Sequence, residues 1–186
     1  MFDIVTIRDL LDAPALAALR EAMRIAAGAP ASVYGNASDA NVAPRVRSTT
    51  RVQVGGATGA RVTARLREVQ PELVAHFGAA DVTTIEEPQF LRYGVGDFFV
   101  AHQDGNTPLT RDASTLRRIS IVIFVSDVAD YDGGALVLHG RYPDLAARQT
   151  VAAEAGSLVA FRPETTHEVT PVTRGERCTI ATWMRA

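Results

Sequence analysis

Cysteine is nearly absent from this sequence, since Cys178 is the only one among 186 residues. A lone cysteine cannot form a disulfide within the chain, and this usage favours a reducing compartment. An excess of one charge is also missing, because 19 Lys and Arg residues stand against 21 Asp and Glu residues, a formal net charge of −2. Nucleic-acid-binding domains are typically basic, so we expect no nucleic-acid partner.

Long apolar runs are missing as well. No stretch of the sequence approaches the ~20 consecutive apolar residues that a membrane-spanning helix needs. The first five residues lack the basic region and the apolar run of a signal peptide. We therefore expect a cytoplasmic protein with no membrane partner. The 186 residues, 47% of them hydrophobic, suffice for one domain with a substantial core, and no pattern indicates the oligomeric state.

Helical patterns dominate the first 83 residues. Asp12 has the position of a helix N-cap, and the helix that follows should run to about residue 27. A second amphipathic helix is predicted from about residue 60 to residue 77, bent or broken at Pro71. We expect residues 1–83 to form a helical support that packs on the rest of the protein.

The segment between the two helices predicts a loop, because Gly, Asn and Pro are frequent in it. Two interpretations are open. It is either a solvated loop or, over residues 31–51, a lid whose arginines contact a carboxylate-bearing substrate. The candidate substrate residues in this segment are Arg45, Arg47 and Arg51.

Residues 84–186 change to short β-strand patterns separated by turn signals. Eight strands can be counted, which is the number in a double-sheet jelly roll, or double-stranded β-helix, of antiparallel strands. The expected fold class is therefore mainly β with N-terminal helices. The predicted strands are 88–93, 98–102, 118–125, 135–139, 150–152, 156–161, 167–172 and 177–184.

A candidate metal site begins at the end of the predicted strand 98–102. His102 and Asp104 are two residues apart, so in an extended chain both side chains point to one face. The best-placed third ligand is His167 on a later strand. Two His and one carboxylate occupy one face of a metal and leave the other open, which suits non-haem Fe(II). Taken alone, the His-x-Asp pair can also be an ordinary surface polar pair.

Arg177 follows His167 by ten residues. If Arg177 points into the barrel, strand alternation turns Thr179, Ala181 and Trp183 inward with it. A buried guanidinium requires an anion, and beside an open metal face a dicarboxylate would satisfy it. The other interpretation is a solvated arginine at the edge of a hairpin.

Five blocks of the sequence stand in a specific order and spacing: residues 89–99 (QFLRYGVGDFF), 102–104 (HQD), 118–120 (RIS), 132–136 (DGGAL) and 167–183 (HEVTPVTRGERCTIATW). Together they resemble the Fe(II)/2-oxoglutarate-dependent dioxygenases, specifically the prolyl 4-hydroxylase-like branch. The resemblance implies that residues 84–186 are the oxygenase domain. It also implies that His102, Asp104 and His167 are the catalytic iron ligands, with 2-oxoglutarate and O2 as cosubstrates and ascorbate as the reductant.

The same resemblance implies a pocket for 2-oxoglutarate. Arg177 would hold the distal carboxylate, and Tyr93 would line the cosubstrate or substrate pocket. Phe124 stands where some relatives have a tyrosine that bonds this carboxylate. Because of this departure, fewer side chains would bind the carboxylate together with Arg177, and Thr179 is the candidate for that role.

The function implied is hydroxylation of a C–H bond in a prolyl or other amino-acid-type substrate, free or in a peptide, with release of succinate and CO2. Trp183 joins the three arginines as a candidate substrate contact. A small-metabolite hydroxylase is the alternative within the family. A cupin-like metal-binding β-barrel, an isomerase or a 2-oxoglutarate-independent dioxygenase, is the alternative outside it, although cupins usually have more His ligands. Asp104 argues against a halogenase, which needs a small residue at that position.

Overall fold

The computed structural model describes residues 2–34, 40–41, 43–105, 112–140 and 144–186. Helix α1 (Ala13–Ile25) begins as predicted, because the Asp12 carboxylate accepts a hydrogen bond of 2.8 Å from the backbone N–H of Ala15. Helix α2 (Gly56–Phe77) begins earlier than predicted and is continuous through Pro71. Neither helix in the described part of the chain has the apolar length that a bilayer crossing demands.

Seventeen strands are formed by the described residues, many of them short. The first six are β1 (Ile4–Ile7), β2 (Gly28–Pro30), β3 (Val33–Tyr34), β4 (Ala40–Asn41), β5 (Arg47–Ser48) and β6 (Thr50–Val52). The next five are β7 (Thr84–Ile85), β8 (Gln89–Tyr93), β9 (Phe98–His102), β10 (Arg117–Phe124) and β11 (Tyr131–Gly133). The last six are β12 (Leu136–His139), β13 (Arg148–Thr150), β14 (Leu158–Phe161), β15 (His167–Val169), β16 (Val172–Gly175) and β17 (Arg177–Arg185). A short 3-10 helix, Ala113–Leu116, precedes β10.

Two antiparallel sheets make up the body of the fold. The major sheet has the strand order β1-β14-β10-β17-β8-β6-β2, with β7 also paired to β17. The minor sheet has the order β13-β12-β15-β9-β5. Two small ribbons, β3-β4 and β11-β16, complete the described strands. The prediction of a mainly β, jelly-roll fold with N-terminal helices is confirmed.

The predicted loop before α2 contains strands that belong to both sheets. β6 pairs with β8 in the major sheet, and β5 pairs with β9 in the minor sheet. β1 pairs with β14 at the other edge of the major sheet. Residues 1–83 therefore complete the sheets as well as supplying helices. Residues 35–39 and 42 of the predicted lid lie outside the described residues.

The two faces of the major sheet have different neighbours. One face packs against α1 and α2, in a core that includes Leu19, Leu66 and Ile180. The other face meets the minor sheet through two smaller apolar clusters, one around Phe124 and one around Tyr93. Successive side chains of β17 point alternately towards the helices and towards the minor sheet, as strand geometry requires. The candidate metal ligands and Arg177 lie in the space between the sheets.

Candidate active site

His102, Asp104 and His167 converge between the two sheets. Their ligand atoms all lie within 4.8 Å of one another. The two carboxylate oxygens of Asp104 divide between the imidazoles, with Oδ1 3.6 Å from His102 Nε2 and Oδ2 3.6 Å from His167 Nε2. Two imidazole nitrogens and one carboxylate oxygen form a donor set that fits a divalent metal such as Fe(II).

An irregularity in β9 turns His102 towards this point. His102 pairs with His167 and Phe99 pairs with Val169, so three steps along β9 match two steps along β15. The extra residue on β9 is a β-bulge, which shifts the alternation of side chains along the strand. Phe99 and His102 therefore share a face, and their rings stack with centroids 3.5 Å apart.

Backbone carbonyls fix the tautomers of both histidines. His102 Nδ1 lies 2.8 Å from the carbonyl oxygen of Val100, and His167 Nδ1 lies 2.9 Å from that of Thr165. A carbonyl oxygen only accepts hydrogen bonds, so each Nδ1 carries the proton and donates it. Both Nε2 atoms are then left with a free lone pair for a metal, as metal-binding histidines require.

The protonation states also suit metal binding. Burial lowers the pKa of His167 to about 4, although Asp104 opposes this shift, so the imidazole is neutral at pH 7. Burial acts to raise the pKa of Asp104, but His167, His102 and a hydrogen bond from Ser120 outweigh it and hold that pKa well below the ordinary value. The site therefore presents one carboxylate and a neutral His167.

Aromatic rings enclose the two imidazoles. Phe99 stacks on His102, and Phe161 meets His167 edge-on with the ring centroids 4.8 Å apart. The two imidazoles themselves lie 4.2 Å apart, tilted by 54°. These contacts limit rotation of the two imidazole rings.

Arg177 lies inside the protein, on the face of β17 that meets the minor sheet. It is 1% exposed, and its Nε has no hydrogen-bond partner among the described residues. Its guanidinium carbon lies 5.1 Å from the ring centroid of Tyr93 and 5.7 Å from that of Phe124. Its Nη1 is 3.4 Å from Thr179 Oγ1, a long contact to a neutral acceptor. No carboxylate in the described ranges forms an ion pair with it, so this buried cation could hold an anionic ligand.

The four candidate substrate residues lie in different surroundings. Arg45 is exposed, and Arg51 Nη2 is 3.6 Å from Glu87 Oε2. Arg47 is buried, and its guanidinium carbon lies 4.8 Å above the Phe99 ring that stacks on His102. Trp183 is buried beneath Arg117, with the guanidinium carbon 3.7 Å from the ring centroid.

Three residues around Asp104 were not singled out as site residues from the sequence. Ser120 Oγ donates a hydrogen bond of 2.7 Å to Asp104 Oδ2. Arg117 Nη1 donates one of 2.8 Å to the backbone carbonyl of Asp104, and Glu86 binds the same guanidinium. Ser120 lies in the RIS block (residues 118–120), and this block is the sequence feature that could identify Ser120 as a site residue. Nothing in the sequence links Glu86 to residues that follow it by 18 and 31 positions.

Comparison with known proteins gives consistent results. A sequence profile described as the 2OG-Fe(II) oxygenase superfamily matches residues 88–185. A PKHD-type hydroxylase of Paraburkholderia phytofirmans is 38% identical over 100 residues, which are 53% of this chain and 42% of that protein. A PKHD-type hydroxylase of Paracoccus denitrificans is 29% identical over 185 residues, 98% of this chain and 78% of that protein. The match to the Paraburkholderia protein thus spans less than half of that relative's length.

The fold is similar to that of a solved enzyme. The crystal structure of a Pseudomonas putida prolyl-4-hydroxylase superposes with a TM-score of 0.75 at 21% sequence identity. The superposition covers 100% of this chain and 93% of that one. At this identity the likeness concerns the fold, and it includes the N-terminal strands and helices as well as the region that the profile matches.

Proposed function

The chain belongs to the 2OG-Fe(II) oxygenase superfamily, and on this basis we propose that it hydroxylates a C–H bond of a prolyl-type substrate. 2-Oxoglutarate and O2 are the cosubstrates, and succinate and CO2 leave with the hydroxylated product. One observation carries the proposal: a two-His, one-carboxylate cluster lies in the same inter-sheet space as a buried arginine with no counter-ion among the described residues. Residues 84–186 are the oxygenase domain in this proposal, and residues 1–83 complete its sheets.

The metal ligands in this proposal are His102 Nε2, Asp104 and His167 Nε2. When bound, Fe(II) would supply the chemistry that oxidises an unreactive C–H bond, and 2-oxoglutarate and O2 would be consumed in that reaction. The protein's part is to hold the three ligands before the metal arrives. Carbonyl acceptors fix both imidazole tautomers, Ser120 fixes one oxygen of Asp104, and Phe99 restrains His102 by stacking.

Arg177 binds the distal carboxylate of 2-oxoglutarate in this proposal. Its burial makes the unpaired guanidinium costly without a ligand, and a carboxylate can accept two parallel N–H bonds from it. Tyr93 and Phe124 flank the guanidinium and exclude water from it. Thr179, whose Oγ1 lies 3.4 Å from Arg177 Nη1, is proposed as the second contact of the same carboxylate.

Substrate contact is assigned to Arg47 in preference to Arg45, Arg51 and Trp183. Arg47 is buried on the strand beside β9, its Nε has no hydrogen-bond partner within the described ranges, and it lies over the ring next to His102. A guanidinium there can donate to a backbone carbonyl of a peptide or to the carboxylate of a free amino acid. A small-metabolite hydroxylase is the second candidate, since a carboxylate-bearing metabolite would use the same contact.

The test is a succinate-release assay with Fe(II), 2-oxoglutarate and ascorbate. The substrates are proline-containing peptides, free amino acids and metabolite pools, with mass spectrometry of the product for one added oxygen. Asp104→Ala should abolish hydroxylation. The matched control is Gln103→Ala, because Gln103 is exposed and its amide donates to the carbonyl of Glu164. Equal loss in both variants, or no iron in the wild-type protein after anaerobic loading, would refute the proposal.

A further inference from the structure

Asp104 lies beyond the end of its strand. β9 ends at His102, so the strand ladder does not hold Asp104 in place. Its backbone N–H donates a hydrogen bond of 2.9 Å to the carbonyl of Pro163. The residue after it, Gly105, packs so closely that an added Cβ would lie 2.2 Å from the carbonyl oxygen of Ser114. The position of the carboxylate therefore depends on contacts made by the backbone on both sides of it.

Arg117 supplies the remaining backbone contact. Its Nη1 donates a hydrogen bond of 2.8 Å to the carbonyl oxygen of Asp104. Its Nε and Nη2 donate two further bonds, each 2.8 Å, to the two carboxylate oxygens of Glu86. The guanidinium is 3.7 Å from the ring centroid of Trp183, and the residue is 7% exposed. All three nitrogens and one face of the guanidinium are thus engaged.

Glu86 is itself anchored to the major sheet. Its backbone N–H donates to the carbonyl of Trp183 at 2.8 Å, and its own carbonyl accepts from Thr182 Oγ1 at 2.7 Å. A continuous set of contacts therefore runs from β17 through Glu86 and Arg117 to the backbone of Asp104. We call Glu86, Arg117 and Trp183 the carbonyl clamp.

We propose that the carbonyl clamp positions Asp104 for metal binding. The inference rests on the proposed function, since it requires that Asp104 is a metal ligand. The clamp acts by geometry, because Glu86 and Arg117 form a neutral pair and bring no net charge to the site. A rigid fork of donors can bind a carboxylate and a carbonyl at once, and the single nitrogen of a lysine cannot reproduce that arrangement. Glu86, Arg117 and Trp183 are positioning residues, since none of them is among the three proposed ligands.

A purely structural role is the alternative, in which Glu86 and Arg117 only tie the segment after β7 to β10. The chain contains a matched control for this role. Arg118, the next residue, pairs with Asp81 at 2.9 Å and is more exposed than Arg117. The Arg118–Asp81 pair also joins β10 to the segment around β7. Among the contacts of the described residues, none links Arg118 to Asp104.

The experiment uses Arg117→Lys and Glu86→Gln, with Arg118→Lys as the control. Arg117→Lys keeps the charge opposite Glu86, so the buried carboxylate is not left without a cation. Each full-length variant is titrated with Co(II), whose visible absorption reports both affinity and ligand geometry, and its thermal unfolding is measured without metal. Loss of such outer contacts typically weakens metal binding by about 10–100-fold. From this range we expect the Kd for Co(II) to rise at least about tenfold in both clamp variants. The absorption bands of bound Co(II) should also change.

The outcomes separate the two roles. Weaker Co(II) binding with changed bands in the clamp variants, and unchanged binding in Arg118→Lys, would support the clamp. Lower thermal stability with unchanged Kd and bands would overturn it and leave a structural ion pair. Failure of the wild-type protein to bind Co(II) would overturn the proposed metal site and the clamp with it, whereas normal wild-type binding with unaffected variants would overturn the clamp alone.

Discussion

Replacement of Arg177 by methionine tests whether the buried guanidinium is there for an anion. Arg177 is 1% exposed, and among the described residues its polar contact is a 3.4 Å approach to Thr179. An unsatisfied buried polar group costs about 1–3 kcal/mol. For a protein of this size, 1 kcal/mol shifts Tm by about 2–4 °C. Arg177→Met fills much of the same volume without the charge, so the ligand-free variant should melt at the wild-type temperature or several degrees above it.

The same substitution should weaken the stabilisation of the folded protein by 2-oxoglutarate. A ligand at one hundred times its Kd stabilises the folded state by about 2.7 kcal/mol. In the wild-type protein this corresponds to a rise in Tm of about 5–10 °C. Charge-assisted hydrogen bonds contribute about 1.5–3 kcal/mol, so their loss should raise the Kd about ten- to a hundredfold. At the same 2-oxoglutarate concentration the rise in Tm should then fall to between about a half and about a sixth of the wild-type value.

The measurement is thermal unfolding of the Mn(II)-loaded proteins over a series of 2-oxoglutarate concentrations. Arg174→Met is the control, because Arg174 is exposed and binds Asp132 on the surface. An exposed ion pair contributes little, so both the ligand-free Tm and the response to 2-oxoglutarate should match the wild type. A large drop in the ligand-free Tm of Arg177→Met, or a full response to 2-oxoglutarate, would refute the anion-binding role.

Three further predictions concern single side chains. Ser120→Ala removes the hydrogen bond to Asp104 Oδ2 and should weaken Co(II) binding about tenfold, measured by titration; an unchanged Kd would count against this orientation of Asp104. Burial raises the pKa of the Cys178 thiol to about 11. At pH 8.5 iodoacetamide should therefore alkylate Cys178 far more slowly in the folded than in the urea-unfolded protein, as measured by mass spectrometry. Equal rates would contradict the burial of Cys178. Arg47→Met should raise the KM for the hydroxylated substrate while 2-oxoglutarate binding stays the same, whereas Arg45→Met should change neither.

The face to which each side chain of a single strand points could be predicted from the sequence, because it depends only on the alternation of side chains along the strand. Along β17, Cys178 and Ile180 face the helices, whereas Ala181 packs in the inter-sheet cluster around Tyr93. The buried state of Arg177 follows from the same alternation once the strand is placed in the centre of a sheet. The β-branched run of β10 likewise predicts a central strand, and it pairs on both sides.

The strands between residues 28 and 52 could not be predicted in this way. They are two or three residues long and contain Gly28 and Pro30, so neither length nor composition distinguishes them from a loop. β5 and β6 are stabilised by pairing with β9 and β8, which come about forty to fifty residues later, and β2 pairs in turn with β6. Local sequence carries little information about partners at that distance.

The bulge in β9 was equally hidden. Alternation alone puts Phe99 and His102 on opposite faces, and the extra residue on β9 puts their rings in contact. The proximity of His102 and Asp104 is predictable from their spacing, but the stacking of Phe99 is not. The contacts of Arg117 are hidden for another reason, because its side chain joins residues that come 31 positions and 13 positions before it.

The central place of β17 has a consequence for how the protein is made. β8 and β10 are both flanked by β17, so these strands have no shared partner until residues 177–185 have been synthesised. Until then the nascent chain carries an unpaired, β-branched edge along β10, which is prone to pair with other chains. Pairing across such long sequence separations is also slow. The strand that carries the buried Arg177 is therefore the one whose arrival closes the major sheet, and the proposed anion site forms only when the aggregation-prone period ends.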